Sequence, residues 1–159
     1  MKKIDIRETE DRRFRLTESE LGDRWNTQEH VGPLQVFVPY ASPELAKPAL
    51  DAAATLAGDL GAQAVLVAVH VVSPLLPLDE PNVSREFLEK RLQSVAEQST
   101  LPVRAEIVFA REQEAGFRAV IPQGSLVLVP THRHWWRTAE EKLARFLERA
   151  GDSVVLLTV

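Results

Sequence analysis

The sequence predicts a parallel α/β domain in which five strands alternate with four helices. Two observations carry that reading. Short, almost wholly apolar segments recur at Leu34–Val38, Ala64–Val72, Val103–Ala110, Leu126–Val129 and Ser153–Val159. Between them lie stretches of helical period with capping residues at their starts and glycine at two of their ends. Strands that are apolar on both faces belong in a sheet covered by helices on both sides, a three-layer open sheet.

The elements follow in order. Leu34–Val38 is stopped by Pro39 and reads as a strand buried on both faces. The helix after it runs to about Leu60 and stops at Gly61, a position suited to a left-handed cap. Pro48 would break that helix if it lay beyond the first turn, so Ser42-Pro43 is expected to be extended and the helix to begin near Glu44 to Ala46. Ala64–Val72 is the most continuous apolar run and should lie centrally. A loop with Pro74, Pro77 and Pro81 leads to Ser84, the cap of a helix whose stripe is Phe87, Leu88, Leu92, Val95 and Ala96. In Val103–Ala110, Arg104 and Glu106 alternate with apolar residues, as at a sheet edge with one face toward water. A short helix, Glu112–Val120, precedes the strand Leu126–Val129. Thr138 and Glu141 have capping-box spacing ahead of a helix with the stripe Leu143, Phe146, Leu147 and Ala150, ended by Gly151 before the last strand.

Residues 1–33 are of another kind, crowded with charges of both signs and poor in apolar residues. They form a charged arm, and residues 34–159 form the domain. Ile4, Ile6, Phe14 and Leu16 alternate with polar residues on either side of Glu8-Thr9-Glu10-Asp11, as in a small hairpin. Thr17 with Glu20 has the spacing of a capping box for a short helix to Trp25. Whether the arm docks or stays loose is open at this level.

Bulk properties exclude several classes. The chain has 159 residues, enough for one core without staples. A formal charge of -4 gives no reason to expect a polyanion, so nucleic acid is not an expected partner. The absence of cysteine removes disulfides, thiolate zinc sites and thiol nucleophiles, and favours a reducing compartment, with the cytoplasm as the expected location. Charges follow Lys2 and Lys3 where a signal peptide needs apolar residues, so export is not expected. The run Ala64–Val72 falls far short of the roughly 20 residues of a membrane helix, so no span is expected.

Three stretches resemble the universal stress protein (UspA-like) family over about Leu34 to Val159: Leu66-Val67-Ala68-Val69-His70-Val71, then Leu126-Val127-Leu128-Val129-Pro130-Thr131-His132, and the closing Glu148 to Val159. The resemblance implies a Rossmann-like sheet, of the adenine nucleotide alpha hydrolase-like kind, with strand order 3-2-1-4-5 and a dimer formed through the last strand. Members that bind ATP usually have an aspartate at the end of strand one, a Gly-x-x-Gly after the Thr-His, and a Gly-Ser or Gly-Thr at the last helix. Here Pro39-Tyr40, Arg133, Trp136 and Lys142-Leu143 stand in those places. Glycine lets backbone N–H groups approach phosphates and take positive φ, so its replacement closes that mode of triphosphate binding. The chain reads as a degenerate member without the glycine-rich motif.

In such a sheet, ligands bind beyond the carboxyl ends of the strands where the order reverses. With the order above, the walls of that crevice are Pro39 to Pro43 and Pro130 to Thr138. The candidate ligand-binding residues are Tyr40, Ser42, Thr131, His132, Arg133, His134 and Arg137. The cations suit an anion near the start of the last helix, and Trp135 or Trp136 suits stacking on a ring. The competing reading is that Trp136 continues the buried stripe back from Leu143 and the arginines are solvated. His132 and His134, without a third ligand, make a poor metal site. His70 reads as a hydrogen-bonded histidine within a buried strand, and Ser42 and Ser84 as caps or turn residues. There is no catalytic constellation, so neither an enzyme activity nor a cofactor is expected.

Val154, Val155, Leu156 and Leu157 form an uninterrupted apolar run on an expected sheet edge, which something should cover. A homodimer is the first expectation and the arm folding over that edge the second. The functional expectation is a non-enzymatic regulatory or binding module with a protein or small anionic ligand as partner. The alternatives are a nucleotide-binding (AMP or ATP) stress protein with an altered loop, or a cytosolic regulatory domain associated with a transporter.

Overall fold

The computed structural model describes residues 6–10, 34–133 and 138–159. Along the chain lie β1 (Ile6–Glu10), β2 (Gln35–Pro39), α1 (Pro43–Ala57), β3 (Gln63–Val71), α2 (Arg85–Ala96), β4 (Val103–Ala110), α3 (Gln113–Val120), β5 (Leu126–Thr131), α4 (Ala139–Arg149) and β6 (Ser153–Thr158). The sheet order is β1-β4-β3-β2-β5-β6, with every pair parallel. The five strands from β2 onward thus have the expected order 3-2-1-4-5, and β1 extends the sheet beyond its third member.

Two helices cover each face. Val36, Val38, Leu66, Ile107 and Phe109 pack with Leu50 of α1 and Leu92 of α2. Phe37, Val65, Val67, Val127 and Val129 pack with Phe117 of α3 and Leu147 of α4. β2 and β3 supply side chains to both clusters because successive strand residues point to opposite faces, which is why these runs are continuously apolar. α3 approaches closely at Gly116, where a Cβ would stand 2.5 Å from Val69 Cγ1 and 3.1 Å from the Ala110 Cβ.

Several expectations change. The hairpin turn placed at Glu8-Thr9-Glu10-Asp11 is not made at its first three residues, which belong to β1 and run parallel to β4 from Ile6 opposite Ala105 to Glu10 opposite Phe109. Ile4, Asp11, Phe14, Leu16 and the short helix to Trp25 lie outside the described residues. The part of the arm that pairs covers β4, at the opposite end of the sheet from β6, so it does not cap the β6 edge. β4 is therefore not the outermost strand, and Arg104 and Glu106 do not face water freely. They form an ion pair of 2.9 Å with both side chains largely buried.

α1 begins at Pro43, one residue earlier than expected. Ser42 is extended (φ -151°, ψ 162°) and caps it, accepting from the Leu45 N–H at 3.4 Å. Proline suits the first helical position, where no N–H is needed. Pro48 lies inside the helix after all. Its missing bond would have gone to the carbonyl of Glu44, an exposed residue whose carbonyl water can satisfy. A turn of 3-10 helix, Gly58–Leu60, finishes the segment, and Gly61 takes the left-handed conformation at φ 66°. Ser84 caps α2 by accepting from the Phe87 N–H at 3.2 Å, but Phe87 is 53% exposed instead of buried. It lies across from Pro43 and Pro48 of α1, off the stripe of Leu92, Val95 and Ala96 that meets the sheet.

Among the described residues, no helix is long and apolar enough to cross a membrane.

Candidate functional site at the opening between β2 and β5

From β2 the chain leaves through α1 on one face of the sheet, and from β5 it leaves through α4 on the other. The pairing between these two strands is cut short by their own prolines. Pairing between β2 and β5 is confined to Val36 with Leu126 and Phe37 with Val127. The Tyr40 N–H donates to Val67 O of β3 at 2.8 Å, and Thr131 O accepts from the Val159 N–H beyond β6 at 2.9 Å. Neighbouring residues of a strand alternate in the side to which they bond, so Pro39 and Pro130 each turn their backbone toward the other's strand. Continuing the register would need a Pro39 N–H for Leu128 O and a Pro130 N–H for Pro39 O. Proline supplies neither, and the ladder stops.

Beyond that stop lie the walls. Thr131, only 3% exposed, donates its hydroxyl to His132 O at 3.3 Å and sits 3.1 Å from the Thr138 hydroxyl. Thr138 caps α4 by accepting from the Glu141 N–H at 3.2 Å. Because Thr131 has already donated its one proton, Thr138 donates to it. The two threonines thereby tie the end of β5 to the start of α4 and close the base of the loop between them.

On the other wall, Tyr40 packs half-buried against the α1 and α2 side of the core. Its hydroxyl is buried without a hydrogen bond of good geometry, and the Arg91 guanidinium lies near it. Burial pushes its pKa above the usual 10.0, with the Arg91 guanidinium opposing the rise. Glu44, exposed in the first turn of α1, has its carboxyl held below the usual carboxylate range. The causes are first its own backbone N–H, then the Ser42 hydroxyl, then the positive charge of Arg91 and of His132. Glu44 thus lies within the electrostatic reach of Arg91 on α2 and of His132 in the loop after β5.

Of the predicted residues, Tyr40, Ser42, Thr131 and His132 line this opening or its rim, while Arg133 is exposed just beyond it. His134 and Arg137, like Trp135 and Trp136, lie outside the described residues. Sequence reading did not single out Glu44 or Arg91, which belong to helices. The Ser-Pro-Glu start of α1 is the signal that pointed to Glu44, since an acidic residue in a capped first turn is held in place by free N–H groups. Among the described residues no group of three or more His, Asp or Glu side chains is placed to hold a metal ion. His70 is half-buried near the end of β3, with Nε2 3.1 Å from Asn82 Oδ1 and its ring edge-on to Phe109 at 5.9 Å.

β6 ends the sheet. Val155 (39%) and Leu156 (46%) are exposed, whereas Val154 and Leu157 pack partly against the two cores.

No family model matches the chain, and no curated protein matches it. Among solved structures it is similar to a universal stress protein in complex with cAMP, at 12% identity and a TM-score of 0.44 over 79% of this chain and 95% of that one. It is also similar to a protein from the universal stress protein family from Burkholderia pseudomallei, at 21% identity and a TM-score of 0.46 over 80% of this chain and 96% of that one. Neither likeness bears on what this chain binds.

Proposed function

We propose that the chain is a degenerate universal stress protein-like module that binds a small anion without catalysis and works as a homodimer in the cytoplasm. The observation that carries this reading is the early stop of the β2–β5 ladder at Pro39 and Pro130, next to a loop whose sequence is unsuited to a triphosphate. The described rim there carries the exposed His132 ring, with exposed Arg133 next to it. The loop, Thr131 to Thr138, has no glycine. Phosphate cradles need backbone N–H groups at close approach and the turns that glycine permits, and a stretch without glycine is poorly suited to both. Dimerisation is supported by the exposed apolar pair Val155 and Leu156 on a terminal strand, since bare edges of this kind invite pairing.

Native mass spectrometry of the full chain tests both parts together. The expected spectrum shows a dimer without bound nucleotide, and Leu156→Glu shifts it to monomer. A chain that retains AMP or ATP through purification would overturn the reading in favour of a nucleotide-binding stress protein with an altered loop.

A further inference from the structure

Next to the crevice, and sharing Pro43, Glu44 and Arg91 with it, a groove of about 630 Å³ runs between α1 and α2. Its size lies within the roughly 300–1,000 Å³ of small-molecule sites. The floor is Val95, and Pro43 and Pro48 form the apolar wall on α1. The opposite wall is Phe87, the one aromatic among the exposed large hydrophobic side chains of the described residues. An exposed phenyl ring in a recess leaves apolar surface in water, which a ligand ring could cover.

The charges in this groove are of mainly one sign. Lys47, Lys90 and Arg91 line it, against the single carboxylate of Glu44. Arg91 lies over the Phe87 ring at 5.5 Å from its centre, so aromatic and cationic surfaces are joined in one wall. Lys90 shares its charge with Glu86 at 3.0 Å, an exposed pair that costs little to rearrange. Lys47 has no ion-pair partner among the described residues, and it stands on the wall facing Phe87. In a protein of net charge -4, this is a local reversal of sign.

We infer that the groove between α1 and α2 binds a small planar aromatic anion, its ring against Phe87 and Arg91 and its carboxylate or phosphate at Lys47. A planar ring fits because Arg91 and Phe87 present flat surfaces, and guanidinium and phenyl groups both stack on aromatic faces. The anion fits because Lys47 is the uncommitted cation. The inference does not depend on what occupies the crevice between β2 and β5.

The test is an NMR titration of the full 15N-labelled chain with 2-naphthoate, repeated with neutral 2-naphthylmethanol and with non-planar cyclohexanecarboxylate. Naphthoate is expected to shift the amides of Lys47, Phe87, Lys90 and Arg91 saturably, and both control compounds to bind at least about fivefold more weakly. Phe87→Ala and Lys47→Glu should each raise Kd about tenfold, with Lys47→Arg restoring it. Both positions are exposed, so an unchanged melting temperature separates lost binding from lost fold. His132→Ala, in the crevice, should leave the affinity unchanged. Shifts centred on Thr131 and His132, equal binding of the neutral compound, or no saturable shift at millimolar naphthoate would each overturn the inference.

Discussion

Pro39 of β2 and Pro130 of β5 stand on the facing edges of two neighbouring strands, and between them they delete the two hydrogen bonds that would have carried the ladder past Phe37 and Val127. The stop is thus written into the backbone. A proline at a strand end is usually read as a stop; here a pair of them sets where two central strands part.

If the prolines are the cause of the opening, Pro130→Val restores a donor that can reach Pro39 O. The new amide should then be strongly protected in hydrogen–deuterium exchange, as a ladder bond in a central strand is. Net stability should change by less than about 1 kcal/mol, because the regained bond is offset by the greater freedom of the unfolded chain. An amide at residue 130 that exchanges as fast as an exposed loop would mean that packing, and not the missing donor, holds the strands apart.

Tyr40 offers a spectroscopic check, being the sole tyrosine of the chain. Its burial disfavours the phenolate, so the ultraviolet titration should have its midpoint above 10.0. The sign for stability follows from linkage: the folded pKa is raised, so the protein keeps its full stability below pH 10.0 and loses part of it as pH rises through the folded value. Tyr40→Phe should flatten that alkaline loss. Near neutral pH the same change should be neutral or stabilising by about 1 kcal/mol, since the hydroxyl it removes is buried without a hydrogen bond of good geometry. A loss of stability at neutral pH would show that the hydroxyl is bonded.

Asp152 joins three elements at the other end of the sheet. Its side chain is fully buried, with Oδ2 accepting from Arg118 Nη1 of α3 at 2.9 Å and Oδ1 from the Ser125 N–H before β5 at 3.1 Å. Removing one member of a buried pair strands the other, so Asp152→Ala should cost about 3 kcal/mol in chemical denaturation. Arg118→Met should cost at least as much as Asp152→Ala, because it strands a fully buried carboxylate, whereas Asp152→Ala leaves Arg118 partly exposed and still bonded to Ile121 O. Equal and small losses for both variants would mean that the pair is solvated.

The sequence by itself determined the alternation of strands and helices, the strands buried on both faces, and the caps at Ser84, Thr138 and Gly61, because each rests on residues close together in the chain. It also determined that no glycine lies between Thr131 and Thr138. What it left open depended on distant partners. Arg104 and Glu106 carried the pattern of an edge strand, and only the pairing of Ile6–Glu10 with β4 made that strand internal. Phe87 fell on the helical period with Leu92 and Val95, yet the placement of α2 beside α1 turned it outward onto a groove. Glu44, Arg91 and His132 come from three separate segments, and nothing local in any of them announces the other two. Periodicity records which side of an element is apolar; which neighbour that side meets is decided by packing across the whole sheet.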